Sequence, residues 1–393
     1  MAYSINGKLK VAVSSRALFQ LEKEDEIFLK KGKEAYERYQ VKHEKDVLQP
    51  GAAFPVVKAL LELGEDDVEV IVVSRNTADT SLRVFNSIQA HGLNICRGFF
   101  TGGESIINYL KSLDIDLYLT ANDDSARAAI DNGIPAATMI TSAAKYMTET
   151  TELRVAFDGD AVLFGDESEA VFKSEGLEAF GKSESEKANI PMKEGPMAKF
   201  LRALSKIQTK QEKEGKENET KIVTALVTAR SAPAHARTIK TLRAWGIKVN
   251  QAFFLGGLDK TYVLKEFKPQ IFFDDQHVHT DRASLVVPAG TVPYKSDSVL
   301  AQPTVTGQRF INHPVEKDRM HGLLNTIKKA QQNGNYKTPR LWRLANNYNE
   351  AIAVKTAVEI VKFAMESKAD VIAFEHLNMK KKKRSNKQKL SLW

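Results

Sequence analysis

The chain repeats itself. LKVAVSSRAL (Leu9 to Leu18) lies over LRVAFDGDAV (Leu153 to Val162) without a gap, and the same register carries IFLKKGKEAY (Ile27 to Tyr36) over VFKSEGLEAF (Val171 to Phe180) and Gly51 over Gly195. After a charged insert in the second copy, Thr209 to Thr220, the match resumes. VIVVSRN (Val70 to Asn76) then lies over TALVTAR (Thr224 to Arg230), FFTGG (Phe99 to Gly103) over FFLGG (Phe253 to Gly257), and LYLTAND over IFFDDQH. A duplication of this length dictates architecture, because both copies must fold by one pattern.

Within each copy, short β-rich runs alternate with amphipathic segments. Asp79 to His91 puts Leu82, Phe85, Ile88 and Gln89 at helical spacing, between a strand ending at Val73 and another near Ile95 to Phe100. Strand and helix taking turns predicts a parallel sheet covered on both faces. The fold class expected is α/β. It comprises two duplicated Rossmann-like units, 1–150 and 151–295, and a helical and basic extension over 296–393. The units would stand as two side-by-side α/β layers, or as a catalytic unit with a degenerate companion shaping its substrate pocket.

Composition excludes several classes. At 42% apolar and 27% charged over 393 residues, disorder and small stapled scaffolds are ruled out. A single cysteine, Cys96, closes no intrachain bridge and reads as a small buried apolar residue. Apolar runs such as Val68 to Val73 are strand-length, far short of the roughly eighteen residues that span a bilayer. The start MAYSINGKLK lacks the zones of a secretory signal, so the cytoplasm is the expected compartment and no membrane partner is expected. The net charge of +8 is concentrated in the tail: Lys380 to Lys389 holds seven Lys or Arg and no acid, which leaves +1 for residues 1–379. The body therefore carries no general nucleic-acid footprint.

In parallel α/β sheets ligands sit beyond the C-terminal strand ends, and there the copies diverge. The second has Asp158-Gly159-Asp160, Thr228, Lys260 and Asp274-Asp275; the first has Ser14-Ser15-Arg16, Ser74, Ile106 and Thr120-Ala121. Three or four converging carboxylates repel one another unless a divalent cation neutralises them, and hard oxygen ligands favour Mg2+. With Lys260 and the Thr228 hydroxyl as donors to an anionic group, the set suits phosphoryl transfer.

FDGDAVLF, LVTARS, LDKTYVL and FFDDQ, in this order, resemble the four motifs of the haloacid dehalogenase superfamily of phosphohydrolases. The resemblance implies Asp158 as the nucleophile that forms an aspartyl-phosphate, and Asp160 as the acid for the leaving oxygen and then the base for water. It implies Thr228 and Lys260 as holders of the phosphoryl oxygens. Asp275, helped by Asp274, would hold Mg2+ with the Asp158 carboxylate and the Asp160 backbone carbonyl. Residues 9–295 as a whole resemble the cytosolic 5′-nucleotidase I family, through AVSSRALF, PGAAFPVVKALL, VVSRNTADTSLRVFNSIQAHGL, FTGGESIINYLKSLDIDLYL and LRVAFDGDAVLFGDESE. That family implies Mg2+-dependent hydrolysis of nucleoside 5′-monophosphates, AMP in particular. A homo-oligomer is common among soluble enzymes of this kind and stays open. Competing readings are a nucleotide-binding protein without turnover, which would need no nucleophile, and nucleic-acid binding through the C-terminal segment.

Other residues carry two readings. Arg16 is either part of a structural turn or a clamp on the substrate phosphate or base. Arg75, Asn76 and Arg230 follow strand ends and either face the substrate or cap the next helix. Gly102-Gly103 and Gly256-Gly257 read as backbone turns before helices. Phe19, Phe54 and Phe164 read as core aromatics rather than stacking platforms, and His277 and His279 as surface histidines rather than metal ligands.

Residues 296–320 read as a polar linker. RLWRLANNYNEAIAVKTAVEIVKFAMESKADVIAFEHLNMKKKK then resembles the middle of the RuvC-like region of transposon-encoded RNA-guided nucleases, in which the glutamate at the position of Glu375 is a metal ligand. The chain has no upstream strand bearing the aspartate and no downstream acidic partner, so a fragment without nuclease activity is expected. The lysine-rich run reads as a solvated tail with at most weak, salt-sensitive attraction to RNA or DNA.

Overall fold

The computed structural model describes residues 3–140, 152–215 and 221–293, with isolated positions between 326 and 347. Ten strands form one sheet. They are β1 (Leu9–Ser14), β2 (Val68–Ser74), β3 (Arg97–Phe100), β4 (Leu117–Thr120), β5 (Ala136–Met139), β6 (Glu152–Phe157), β7 (Lys221–Thr228), β8 (Gln251–Phe254), β9 (Ile271–Asp274) and β10 (Ala289–Thr291). Their order is β3-β2-β1-β4-β5-β10-β9-β6-β7-β8.

Each copy thus contributes five strands in the same order. The register repeats too: Leu9 lies opposite Val68 on β1 and β2, and the duplicate residues Leu153 and Ile222 lie opposite each other on β6 and β7. The charged insert therefore leaves the sheet undisturbed, part of it prolonging the helix Ala198–Lys213. Pairing is parallel within each half, whereas β5 and β10 join the halves antiparallel. The two units expected from the duplication are fused through one continuous sheet, and residues 1–298 form one compact unit.

Central strands have continuous apolar runs because helices cover both faces. β2 is buried at every position, and β7 at all but its first. Adjacent side chains still alternate: Phe273 of β9 joins the larger core, stacking on Phe157 with ring centroids 5.4 Å apart, while Phe272 joins the cluster on the opposite face. Each ring so buried contributes on the order of 2 to 3 kcal/mol. The segment expected as a helix over 79–91 is a 3-10 turn, Asp79–Ser81, running into an α-helix, Leu82–Ala90.

The duplication extends to one tight crossing. A Cβ on Gly51 would lie 2.7 Å from the Ala17 carbonyl oxygen, and one on Gly195 would lie 2.5 Å from that of Phe164. At both places the chain returns past the loop that follows the first strand of its copy, and only glycine leaves room.

Phe19, Phe54 and Phe164 are core residues, all 3% exposed or less. Cys96 departs from expectation: it is exposed, because it precedes the edge strand β3 and its Sγ lies 3.7 Å from the Asn94 side chain instead of entering the core. The glycine pairs at 102–103 and 256–257 all have positive φ and form turns as expected. Glu375 and the lysine-rich tail lie outside the described residues.

Candidate active site

The end of β6 delivers Asp158, whose backbone N–H donates to the Phe273 carbonyl of β9 at 2.8 Å. The chain then turns sharply: Leu163 and Phe164 both donate to the Gly159 carbonyl, and Ala161 takes φ +62°. Gly159 packs against Thr228 at the end of β7, where an added Cβ would sit 3.0 Å from the Thr228 hydroxyl. β9 ends in Asp274, fully buried, followed by Asp275. Lys260 stands at the start of the helix Thr261–Phe267. Four separate stretches of the second copy therefore converge, as the parallel sheet requires.

Lys260 Nζ donates to Asp158 Oδ1 at 2.7 Å and to Asp274 Oδ2 at 2.6 Å, and all three side chains are at least 90% buried. One oxygen each from Asp158, Asp274 and Asp275 lie within 4.8 Å of one another. Burial pushes the Asp158 carboxyl up to about 7, with the Asp274 charge adding to the rise and Lys260 opposing it. Burial also raises Asp274, but hydrogen bonds from His279, Lys260 and the Gln276 amide outweigh it and hold that carboxyl below its usual range. Burial lowers Lys260, yet the two aspartates reverse this and raise it well above an ordinary lysine. With all four groups ionised the net charge is −2. A single divalent cation balances it, and hard carboxylate oxygens are its natural ligands. The donor set therefore fits Mg2+.

Asp160, two residues beyond Asp158, is held by an arginine. Both its oxygens are gripped by Arg230, which also binds Glu184. Glu184 in turn accepts from Arg237 at 2.8 Å and from the Ser168 hydroxyl, also at 2.8 Å. With its side chain so engaged, Asp160 is not among the carboxylates grouped for a metal; a contribution from it would come through the main chain.

This geometry corrects several expectations. Arg230 is not available to a substrate: its Nε, Nη1 and Nη2 all bind carboxylates, and it is 3% exposed. Arg16, Arg75 and Asn76 lie at the strand ends of the first copy. Because β5 and β10 are antiparallel, those ends run opposite to the ends bearing Asp158 across the seam. β1 and β6 are also five strand steps apart, about 24 Å across the sheet. No arginine side chain bridges that gap, so these three do not contact a group held at Asp158, and a first copy shaping that pocket through them does not fit this layout. His279, expected at the surface, is half-buried with Nδ1 3.3 Å from Asp274 Oδ2, while His277 is exposed.

Sequence reasoning missed Glu184 and Arg237. Glu184 lies in the long helix Glu167–Glu186, where the register with the first copy has no acid to compare: its counterpart is Gln40. A buried acid near the end of a polar helix gives no pattern that periodicity detects.

Similarity to known proteins agrees with the duplicated body. The family model described as 5′-nucleotidase matches residues 1–299. Human cytosolic 5′-nucleotidase 1B is 38% identical over 286 residues, covering 70% of this chain and 47% of that protein. The chain thus spans about half the length of this curated relative. No solved structure matches significantly, and among the described residues no helix is long and apolar enough to cross a membrane. Since the family match takes in residues 1–299 of 393, the chain belongs to the 5′-nucleotidase family.

Proposed function

We propose that this protein hydrolyses nucleoside 5′-monophosphates, AMP preferentially, to nucleoside and phosphate in the cytoplasm. The observation that carries the reading is the cluster of buried Asp158, Asp274 and Lys260 with half-buried Asp275, whose charge balance calls for a dication. Asp158, Asp274 and Asp275 would hold Mg2+, which supplies charge neutralisation for the carboxylates and the phosphoryl oxygens.

In the first half-reaction a carboxylate oxygen of Asp158 attacks phosphorus, and the bond from phosphorus to the sugar 5′-oxygen breaks. Asp160, having first taken up a proton from solvent, gives it to that departing oxygen, releasing the nucleoside and leaving phosphate esterified to Asp158; the carboxylate that results is the form Arg230 grips. In the second, Asp160 takes a proton from water as the water oxygen attacks the same phosphorus, and Asp158 returns as a carboxylate with inorganic phosphate released. Lys260 and the Thr228 hydroxyl hold phosphoryl oxygens through both steps, and the Lys260 cation opposes the burial that raises the Asp158 carboxyl, favouring the carboxylate form that attacks. Arg230 fixes the rotamer of Asp160, since a two-point grip leaves the carboxylate no freedom to rotate.

The test is phosphate release across a panel of nucleoside monophosphates, with Mg2+ and with EDTA. Release from AMP that stops with EDTA and in Asp158→Asn supports the reading. AMP binding without release in the presence of Mg2+ would replace it with a purely nucleotide-binding role.

A further inference from the structure

Where the second copy gathers acids, the first keeps a cavity of about 490 Å3. Its floor is formed at the ends of β1, β2 and β4 by Ser15, Arg16, Ser74, Arg75, Asn76 and Thr120. By the duplication these stand where the second copy has Gly159, Asp160, Thr228, Ala229, Arg230 and Asp274. Ser14 replaces the nucleophile, and its Oγ is occupied in accepting from the Ala17 amide at 3.2 Å. Ile106 replaces Lys260. Ser14, Arg16, Thr120 and Ala121 thus stand where the second copy has its four carboxylates, and the barrier that those converging acids raise against a metal-free anion is absent at these positions.

The charges around the cavity leave one cation over. Asp25 is paired with Arg16 at 2.9 Å, Glu24 with Arg83 at 2.7 Å and Glu37 with Lys33 at 3.8 Å. Arg75 donates to the Ser125 hydroxyl at 3.0 Å and has no carboxylate partner among the described residues. Two further donors in the wall, Arg16 Nε and Asn76 Nδ2, are buried without a hydrogen-bond partner, an arrangement native proteins rarely leave unrelieved. In the same wall Phe28 and Tyr36 meet edge to face with centroids 5.9 Å apart, the Tyr36 hydroxyl donating to Asn76 Oδ1 at 3.2 Å, and with Ile106 they give the cavity apolar surface. Anion-seeking donors and aromatic carbon lining one cavity, in a volume typical of small-ligand pockets, match a phosphate monoester attached to a flat, largely apolar body.

We propose that this cavity is a second ligand site, which binds a phosphate monoester of nucleotide size without a metal and without hydrolysing it. It lacks a carboxylate at the nucleophile position and lies five strand steps from Asp158, so it does not depend on the reaction proposed above.

The experiment is calorimetric titration of the full chain with AMP in EDTA. The expected result is one metal-independent site that persists in Asp158→Asn, weakens at least tenfold in Arg75→Ala and is partly restored in Arg75→Lys. Inorganic phosphate should compete with AMP for it, and adenosine should bind at least tenfold more weakly than AMP. Absence of binding in EDTA, binding unchanged in Arg75→Ala, or loss of binding in Asp158→Asn would each overturn the proposal. Because no turnover is read, failure here leaves the hydrolysis assay to stand or fall separately.

Discussion

Arg230 grips Asp160 at two points, Nη2 to Oδ1 at 2.6 Å and Nε to Oδ2 at 2.8 Å, while its remaining nitrogen binds Glu184. A planar fork on a planar carboxylate fixes direction as well as distance, and a lysine supplies charge without that fork. Arg230→Lys should therefore let Asp160 rotate. The expected outcome is a fall of about 10- to 100-fold in kcat for AMP hydrolysis with KM changed much less, since small misplacements of a reacting group carry that scale of loss. Steady-state kinetics on the two proteins checks it. A change confined to KM would mean that Arg230 contacts substrate after all.

The −2 balance of the cluster predicts stabilisation by metal. A cation bound only by the folded state raises stability by about 2.7 kcal/mol at a hundred times its dissociation constant. Mg2+ added to the EDTA-treated protein should raise Tm in a saturable way. Asp275→Asn removes one oxygen charge from a position that is only half-buried, so the variant should fold yet lose most of the Mg2+ shift. Thermal scans over a Mg2+ titration give the result directly, and an unchanged shift in Asp275→Asn would exclude that residue as a ligand.

Much of this arrangement is readable in the sequence because the duplication serves as an internal control. Asp158, Thr228, Lys260 and Asp274 stand out as the positions where one copy carries chemistry and the other does not, and parallel strands must bring such positions to one end. The fusion of two sheets through β5 and β10 was not readable. The strands there, AATM and AGT, are four and three residues long, and nothing in so short a run specifies parallel or antiparallel pairing. That one unseen choice decides that Arg16, Arg75 and Asn76 sit far from Asp158. The carboxylate partners of Arg230 were not readable for a different reason. An arginine after a strand has the same sequence signature whether it meets a substrate or a buried glutamate brought in by a helix 46 residues away in the chain.

The paired glycine crossings make a symmetrical prediction for stability. Gly51→Ala and Gly195→Ala each push a methyl to within 2.5 to 2.7 Å of a backbone oxygen, and backbone cannot rotate aside as a side-chain tip can. Both should destabilise by about 2 to 3 kcal/mol, the upper part of the range for overpacking. Gly181→Ala, in a helix with open space at the Cβ, should be neutral or stabilising by up to about 1 kcal/mol. Urea unfolding of the three variants tests the contrast, and equal effects at all three positions would remove the crossing as the cause.

Glu184 ties the site to acid stability. Burial raises its carboxyl, but the Arg230 charge and hydrogen bonds from Ser168, Arg230 and Arg237 outweigh this and hold it below the ordinary glutamate range. Its folded value being the lower one, the folded state holds fewer protons than the unfolded chain as pH falls past the unfolded glutamate value of about 4.3. The stabilisation is therefore fully present above that pH and is lost as pH drops through the folded value. Glu184→Gln removes the titration and leaves Arg230 and Arg237 each short of a charged partner, so at pH 7 the variant should be less stable, by about 3 to 5 kcal/mol for a broken buried pair. Below pH 4 the gap between the two proteins should narrow steadily, because the wild-type carboxyl is then taking up the proton that the amide mimics. Chemical denaturation from pH 7 down to pH 3 measures that gap, and one that stays constant across the series would show that Glu184 is not held ionised by its arginines.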